Sequence, residues 1–318
     1  MADESATHTA SDYHLGRLPS GREVTATIHR YAGGPGPTAY VQAAQHGIEL
    51  NGPATLRRLH EWLTGTSLGG TVVAVPLVNR LAFDHRSYTT PAELDAGNPN
   101  LNRVWPGDSS GTLQERMVSR LWELVTDADA VIDLHTGTPD MLEHVRFQTD
   151  DDEARRLAAA YGADYRLADR DDTPADESFS GKLRVAASRA GIPAITAELS
   201  NSRTVSQPAV EAGLDGVRNV LGELGVLPDY SRDTDGGRLL RNEPEPTLAG
   251  ESGLFELRSD LSVGNRLDDG EELGAVYCPS SFERRETVTV ADGGVAYSLA
   301  RESVVIAGER LAGVGAPA

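Results

Sequence analysis

Ala39-Tyr40-Val41-Gln42-Ala43-Ala44-Gln45-His46-Gly47-Ile48-Glu49-Leu50-Asn51-Gly52-Pro53-Ala54-Thr55-Leu56-Arg57-Arg58-Leu59-His60-Glu61-Trp62-Leu63 changes its backbone period part-way along. Residues 39–43 form an apolar alternating run and read as a strand, whereas residues 53–63 read as a helix. His46 and Glu49 fall in the turn between them, three residues apart. At that spacing two side chains converge on one point if the turn is helical. Imidazole and carboxylate are both zinc ligands. An HxxE pair on its own equally describes a surface histidine and a helix-start glutamate, so the other segments must decide.

Strand and helix patterns alternate outward from this turn. Strands are expected at 24–31, 71–78, 128–134 and 192–199, with a short one near 165–168. Helices are expected at 113–125, where Leu113, Met117, Leu121 and Leu124 recur, and at 153–161, 181–190 and 210–224. This alternation predicts an α/β domain with a mixed, largely parallel sheet flanked by helices. Sites in such sheets form beyond the carboxyl ends of strands. The HGIE turn, His135 and Glu198 all fall at such ends. Residues 79–108 form a long irregular segment in which Asn and Arg interleave with apolar residues, the mark of a functional loop rather than a linker.

Residues 1–20 read as a loose leader and 21–234 as the catalytic domain. Beyond a Gly-, Pro- and acid-rich entry, residues 235–318 lose helical periodicity. They show five short strand patterns between glycine turns, a smaller all-β module. The acidic run Asp169 to Glu177 reads as a solvated face, and His29, His60, His85 and His144 as surface or loop residues.

The chain has 318 residues, a net charge of −19 and one lysine, Lys182. A surface this acidic repels nucleic acid and anionic membrane. It suits a protein that stays soluble in a salt-rich cytoplasm, where charge is screened; an ordinary acidic enzyme would share the charge but not the loss of lysine. A single cysteine, Cys278, allows no disulfide within the chain. No apolar run approaches the ~18 residues of a membrane span, and the polar first residues lack a signal-peptide core, so the cytoplasm is the expected compartment.

Asp133-Leu134-His135-Thr136-Gly137 places a third possible ligand after the HxxE turn. Two histidines, one glutamate and an open position make a hydrolytic zinc site. Glu198, ending a buried strand, is the candidate general base. Asp133 reads either as a partner that orients His135 or as an ordinary polar residue at a strand end.

Four segments in this order, HGIELNGP, NPNLNRVWPG, VIDLHTG and AITAELS, resemble the succinylglutamate desuccinylase/aspartoacylase family of zinc carboxypeptidase-like enzymes. The resemblance runs from about residue 38 through the C-terminal module, which in this family is often of barrel-sandwich type. It implies that His46, Glu49 and His135 hold one zinc ion and that Glu198 is the base and then the acid. It also implies that Asn102 and Arg103 hold a substrate carboxylate. Arg86 matches the arginine that stabilises the oxyanion, with Arg80 its competitor. The chain departs from the family pattern at Arg80, where proline is usual, at Asn100 for aspartate and at Ser200 for glycine. These changes are expected to surround the substrate.

The expected function is hydrolysis of the amide bond of a small N-acyl amino acid by a possible homo-oligomer. A metallocarboxypeptidase acting on peptide C-termini is the alternative within the same chemistry. A non-catalytic binding protein on the same fold is the alternative outside it.

Overall fold

Near-continuous apolar runs form strands that are covered on both faces. The computed structural model describes residues 5–95, 97–137, 140–170, 181–230, 234–242, 245–300 and 304–318. Strands β1 (Thr7–Arg17), β2 (Glu23–Ala32), β3 (Thr38–Ala43) and β4 (Thr71–Val75) come first, with helix α1 (Asn51–Leu63) between β3 and β4. Helix α2 (Arg80–His85), a 3-10 turn at Leu101–Arg103 and α3 (Leu113–Thr126) lead to β5 (Ala130–Gly137). Then follow β6 (Asp140–Met141), β7 (His144–Gln148), α4 (Asp152–Tyr161), β8 (Tyr165–Asp169), α5 (Leu183–Arg189), β9 (Ala194–Asn201) and α6 (Gln207–Glu223).

The strands lie in the order β1-β2-β4-β3-β5-β9-β7-β8. β4, β3, β5 and β9 run parallel, and β7 lies antiparallel beside β9. Alternate residues of the central strands face opposite layers. Val41, Ile132 and Ile195 share a core with Leu56, Leu59 and Leu63 of α1 and with α4 and α6. Tyr40 and Val131 share the other core with Met117 and Leu121 of α3 and Leu183 of α5. Each such fully buried aliphatic side chain contributes about 1.5–3 kcal/mol. Helix ends are set locally. Thr112 and Glu115 close a reciprocal capping box on α3, and Asp151 caps α4 through Ala154 N at 2.8 Å.

The stretch expected as a loose leader is instead largely β1, paired antiparallel along its length with β2. Leu15 is buried, and Tyr13 reaches α3, where its hydroxyl donates to Glu123 Oε2 at 2.8 Å. Polar residues between these contacts hide the strand in the sequence.

Beyond residue 234 lie β10 (Arg238–Arg241), β11 (Thr247–Leu248), β12 (Gly253–Leu257), β13 (Arg266–Leu267), β14 (Glu272–Tyr277), β15 (Arg284–Thr289), β16 (Gly294–Leu299), β17 (Val304–Val305) and β18 (Arg310–Pro317), with no helix among the described residues. Phe255, Leu273, Val276, Val288 and Leu299 share a separate core there. The order β15-β14-β12-β17 makes one antiparallel sheet. The main sheet also crosses the 234/235 boundary: β10 pairs parallel with β8, β18 antiparallel with β10, and β16 with both β18 and β6. β18 escaped the sequence reading because its glycines dilute the apolar pattern. One of them, Gly313, lies so close to Tyr297 that an added Cβ would come within 2.6 Å of the ring. No helix among the described residues is long and apolar enough to cross a membrane.

Candidate active site

Between β3 and α1 the chain turns through Ala44 in the left-handed region, at φ 56°. Gly47 then passes against α2, where an added Cβ would lie 2.1 Å from the Ala82 carbonyl carbon. Only glycine allows that approach. Asn51, fully buried, ties the start of α1 to β9: its Nδ2 donates to Leu199 O at 2.7 Å and its Oδ1 accepts from Ser206 N at 2.8 Å. The HGIE turn is therefore held against β9, the strand that carries Glu198.

His46, Glu49 and His135 are 3%, 2% and 4% exposed and meet at one point. Glu49 Oε1 is 2.8 Å from His46 Nδ1, and Glu49 Oε2 is 3.0 Å from His135 Nδ1. The second contact lacks hydrogen-bond geometry, so Oε2 is a buried oxygen with no hydrogen-bond partner. The far side of each ring is held. His46 Nε2 lies 3.1 Å from Asn100 Oδ1, and His135 Nε2 lies 2.9 Å from Asp133 Oδ2. His46 Nδ1 donates to Glu49 Oε1; with the ring proton held instead on Nε2 by Asn100 or Asp133, each Nδ1 lone pair would be free for a metal. Two such nitrogens and an orphaned carboxylate oxygen fit a divalent metal. Burial alone would raise the Glu49 carboxyl, but His46 and His135 beside it hold it down at about 2. One ligand atom from each of the three lies within 4.8 Å of the others.

This cluster opens on a cavity of about 230 Å³ that Glu198, Arg103 and Asn102 also line. Glu198 stands on β9, in register with His135 on β5. Burial raises its carboxyl above the usual range, and Glu49 adds to this against the pull of His135 and Arg146. Arg103 donates to Asn102 O at 2.7 Å and has no carboxylate partner among the described residues. Asn102 Oδ1 accepts from Leu183 N at 3.0 Å, so the same residue also fixes the start of α5.

Arg86 does not line the cavity. It is exposed at the end of α2 in the left-handed conformation, at φ 53°. Arg80 turns the other way and donates to Thr25 Oγ1 at 3.1 Å. Tyr88, two residues on from Arg86, is 40% exposed. It lines the cavity, and its ring stacks on His46 at 3.9 Å between centroids. Asn100 touches His46, so its departure from the family pattern falls at the His46–Glu49–His135 cluster. Ser200 sits at φ 60°, the backbone reason for a glycine preference there.

Residues 35–224 match the sequence profile of the succinylglutamate desuccinylase/aspartoacylase catalytic domain. The chain belongs to this family. The N-alpha-acetyl-L-2,4-diaminobutyric acid deacetylase of Halomonas elongata is 29% identical over 255 residues, which are 77% of this chain and 71% of that protein. The product-bound ectoine utilization protein EutE (DoeB) of Ruegeria pomeroyi is 25% identical, with a TM-score of 0.83 over 99% of this chain and 96% of that one. A succinylglutamate desuccinylase/aspartoacylase structure from Rhodobacter sphaeroides shares the fold at 23% identity, with a TM-score of 0.85 over 99% and 97% of the two chains. Hydrolytic deacylation is the chemistry these family names describe.

Several groups that line this family member's cavity went unread in the sequence. Arg146, Lys182 and Arg184 face it from β7 and the start of α5, and Ser298 and Arg310 from the C-terminal module. Lys182 offered one signal, as the only lysine beside many arginines. Burial, with Arg146 nearby, lowers its ammonium to about 6. Asp169 is not part of a solvated face. It is buried and pairs with Arg146 and Arg184. Residues 171–177 of that acidic run lie outside the described residues. His144 is likewise buried, with Nδ1 donating to Leu142 O at 2.7 Å.

Asp133 is the orienting partner of His135. Its Oδ1 accepts from Gln42 Nε2 at 3.0 Å and its Oδ2 from Gln45 Nε2 at 2.7 Å, and Gln45 in turn accepts from Trp105 Nε1 at 2.8 Å. Asp133→Asn removes the charge that holds the His135 ring and is expected to weaken metal affinity about 10–100-fold. Competition with a calibrated chelator measures this, and an unchanged affinity would return Asp133 to a purely structural role.

Proposed function

We propose that the protein is a zinc-dependent amidohydrolase that removes the acyl group from a small N-acyl amino acid. The reading is carried by the meeting of the His46–Glu49–His135 cluster, the Glu198 carboxylate and the Arg103 guanidinium in one small cavity. Zinc held by those three ligands would polarise the amide carbonyl and acidify a water molecule. Glu198 takes a proton from the attacking water on its carboxylate and passes it to the departing nitrogen. Its raised pKa suits a group that must both accept and return a proton. Arg103 grips the substrate carboxylate in a forked pair, with Asn102 beside it.

Tyr88 supplies the donor to the oxygen that gains charge. Although the residue is 40% exposed, the partial burial of its ring against His46, then the Glu49 and Glu198 carboxylates, raise its hydroxyl above the usual phenol range, so it has a hydrogen to give. Tyr88→Phe is expected to lower kcat about 10²-fold with little change in KM. A change confined to KM would make Tyr88 a binding residue only.

The limited cavity volume, with Ser298 and Arg310 in its wall, supports a small substrate over a peptide. The acidic, lysine-poor composition supports a cytoplasmic enzyme of a salt-rich cell. The test is amine release from N-acetyl-L-2,4-diaminobutyrate, N-succinylglutamate and N-acetylaspartate by the zinc-loaded and the chelator-treated protein. Release that depends on zinc supports the proposal. No release from any of them by zinc-loaded protein, or faster release of a C-terminal residue from peptides, overturns it.

A further inference from the structure

Three histidines that the reaction does not use come together where β1, β2 and α1 meet. They are His8, His29 and His60, each half-buried, and one ligand nitrogen from each lies within 4.8 Å of the other two. His8 Nε2 and His29 Nδ1 are 3.2 Å apart. Three nitrogens bound tetrahedrally to one zinc at 2.0–2.1 Å lie about 3.4 Å from one another. One pair already has that spacing, and the others, within 4.8 Å, would have to close by side-chain rotation on binding. The ring centroids of His8 and His60 are 4.8 Å apart, and those of His29 and His60 5.8 Å.

The surroundings favour neutral imidazoles that offer lone pairs. Burial lowers the pKa of His8 and His29, and the neighbouring histidine rings lower both further. The Tyr31 hydroxyl lies 2.8 Å from His60 Nδ1, which leaves Nε2 as the ligating atom. Burial raises Tyr31 to about 12, so it stays a neutral phenol and acts as the outer partner that fixes the His60 ring. A cavity of about 250 Å³ adjoins the group, lined by His29, Tyr31 and His60 together with Arg57, whose guanidinium is engaged by Glu61. Three imidazoles with an open fourth position suit zinc, copper, nickel or cobalt.

We propose that His8, His29 and His60 form a second transition-metal site, separate from the His46–Glu49–His135 cluster, that pins the edge strand β1 to α1. The two clusters stand on different residues, so each can be removed without the other. Full-length wild type, His29→Ala, His135→Ala and the double variant are dialysed against zinc, and metal per chain is read by mass spectrometry. The expected contents are two, one, one and none. Zinc should also raise the Tm of His135→Ala and leave that of the double variant unmoved. His8→Asn, on the edge strand, should lose the same ion with its circular dichroism unchanged, which separates metal loss from misfolding. Equal zinc content in wild type, His29→Ala and His8→Asn overturns the proposal, as does a Tm of His135→Ala that zinc does not change.

Discussion

Glu198→Gln is expected to lose about 10²–10⁴-fold in turnover, while metal content and KM stay near the wild-type values. Glutamine keeps the size and most of the polarity of the side chain but has no carboxylate to accept a proton. The position is rigid, because β9 is paired on one side with β5, with Glu198 opposite His135, and on the other with β7, with Glu198 opposite His144. The loss therefore reports chemistry rather than displacement. Steady-state kinetics on the N-acyl substrates, with zinc measured in the same sample, makes the comparison. Turnover within tenfold of wild type would assign the proton transfer to another group.

Asp169→Asn is expected to cost about 3–5 kcal/mol of stability, because it leaves two buried guanidinium groups short of their counter-charge. Arg146 forks onto Asp169 at 3.0 and 2.5 Å, Arg184 meets the same carboxylate and Gln148, and Asn242 Nδ2 donates to it at 2.8 Å. Burial alone would raise this carboxyl; Arg146 and Arg184 instead hold it well below the usual aspartate range. The sign follows from linkage. A folded-state pKa below the unfolded one gives stability that is present above about pH 4 and is lost as the pH falls toward the folded value. Urea midpoints of wild type and variant should therefore differ most near neutral pH and converge in acid. Equal midpoints near neutrality would show that the network contributes nothing net.

The α/β half of the fold was legible because buried parallel strands have to be apolar along their whole length, and Val72, Ile132 and Ile195 announce theirs. The meeting of His46, Glu49 and His135 was legible because they lie at or just beyond the ends of such strands, and strand ends in a parallel sheet face one crevice. The side chain that the 79–108 segment sends into the cavity was not. Between Asn79 and Asp108 no period says which side chain turns inward, and the left-handed backbone at Arg86 sends that residue to solvent while Tyr88 faces the ligands. Arg146, Lys182 and Arg310 reach the cavity from elements far apart in sequence, and only the finished sheet order brings them together. The same holds for His8, His29 and His60, which share no motif and meet through the pairing of β1 with β2 and the packing of α1.

The path β8-β10-β18 joins the middle of the chain to its last strand. A ribosome releasing the protein from its N-terminus can complete the layers around β3 and β5 early, yet β18 has not been made when β8 is ready to accept its neighbours. Pairings this distant in sequence are slow to form. Until they do, Ser298 and Arg310 are missing from the wall of the cavity, so the His46–Glu49–His135 cluster can form before its pocket is complete. Synthesis order thus makes the closing of the cavity wall the last step in building this site.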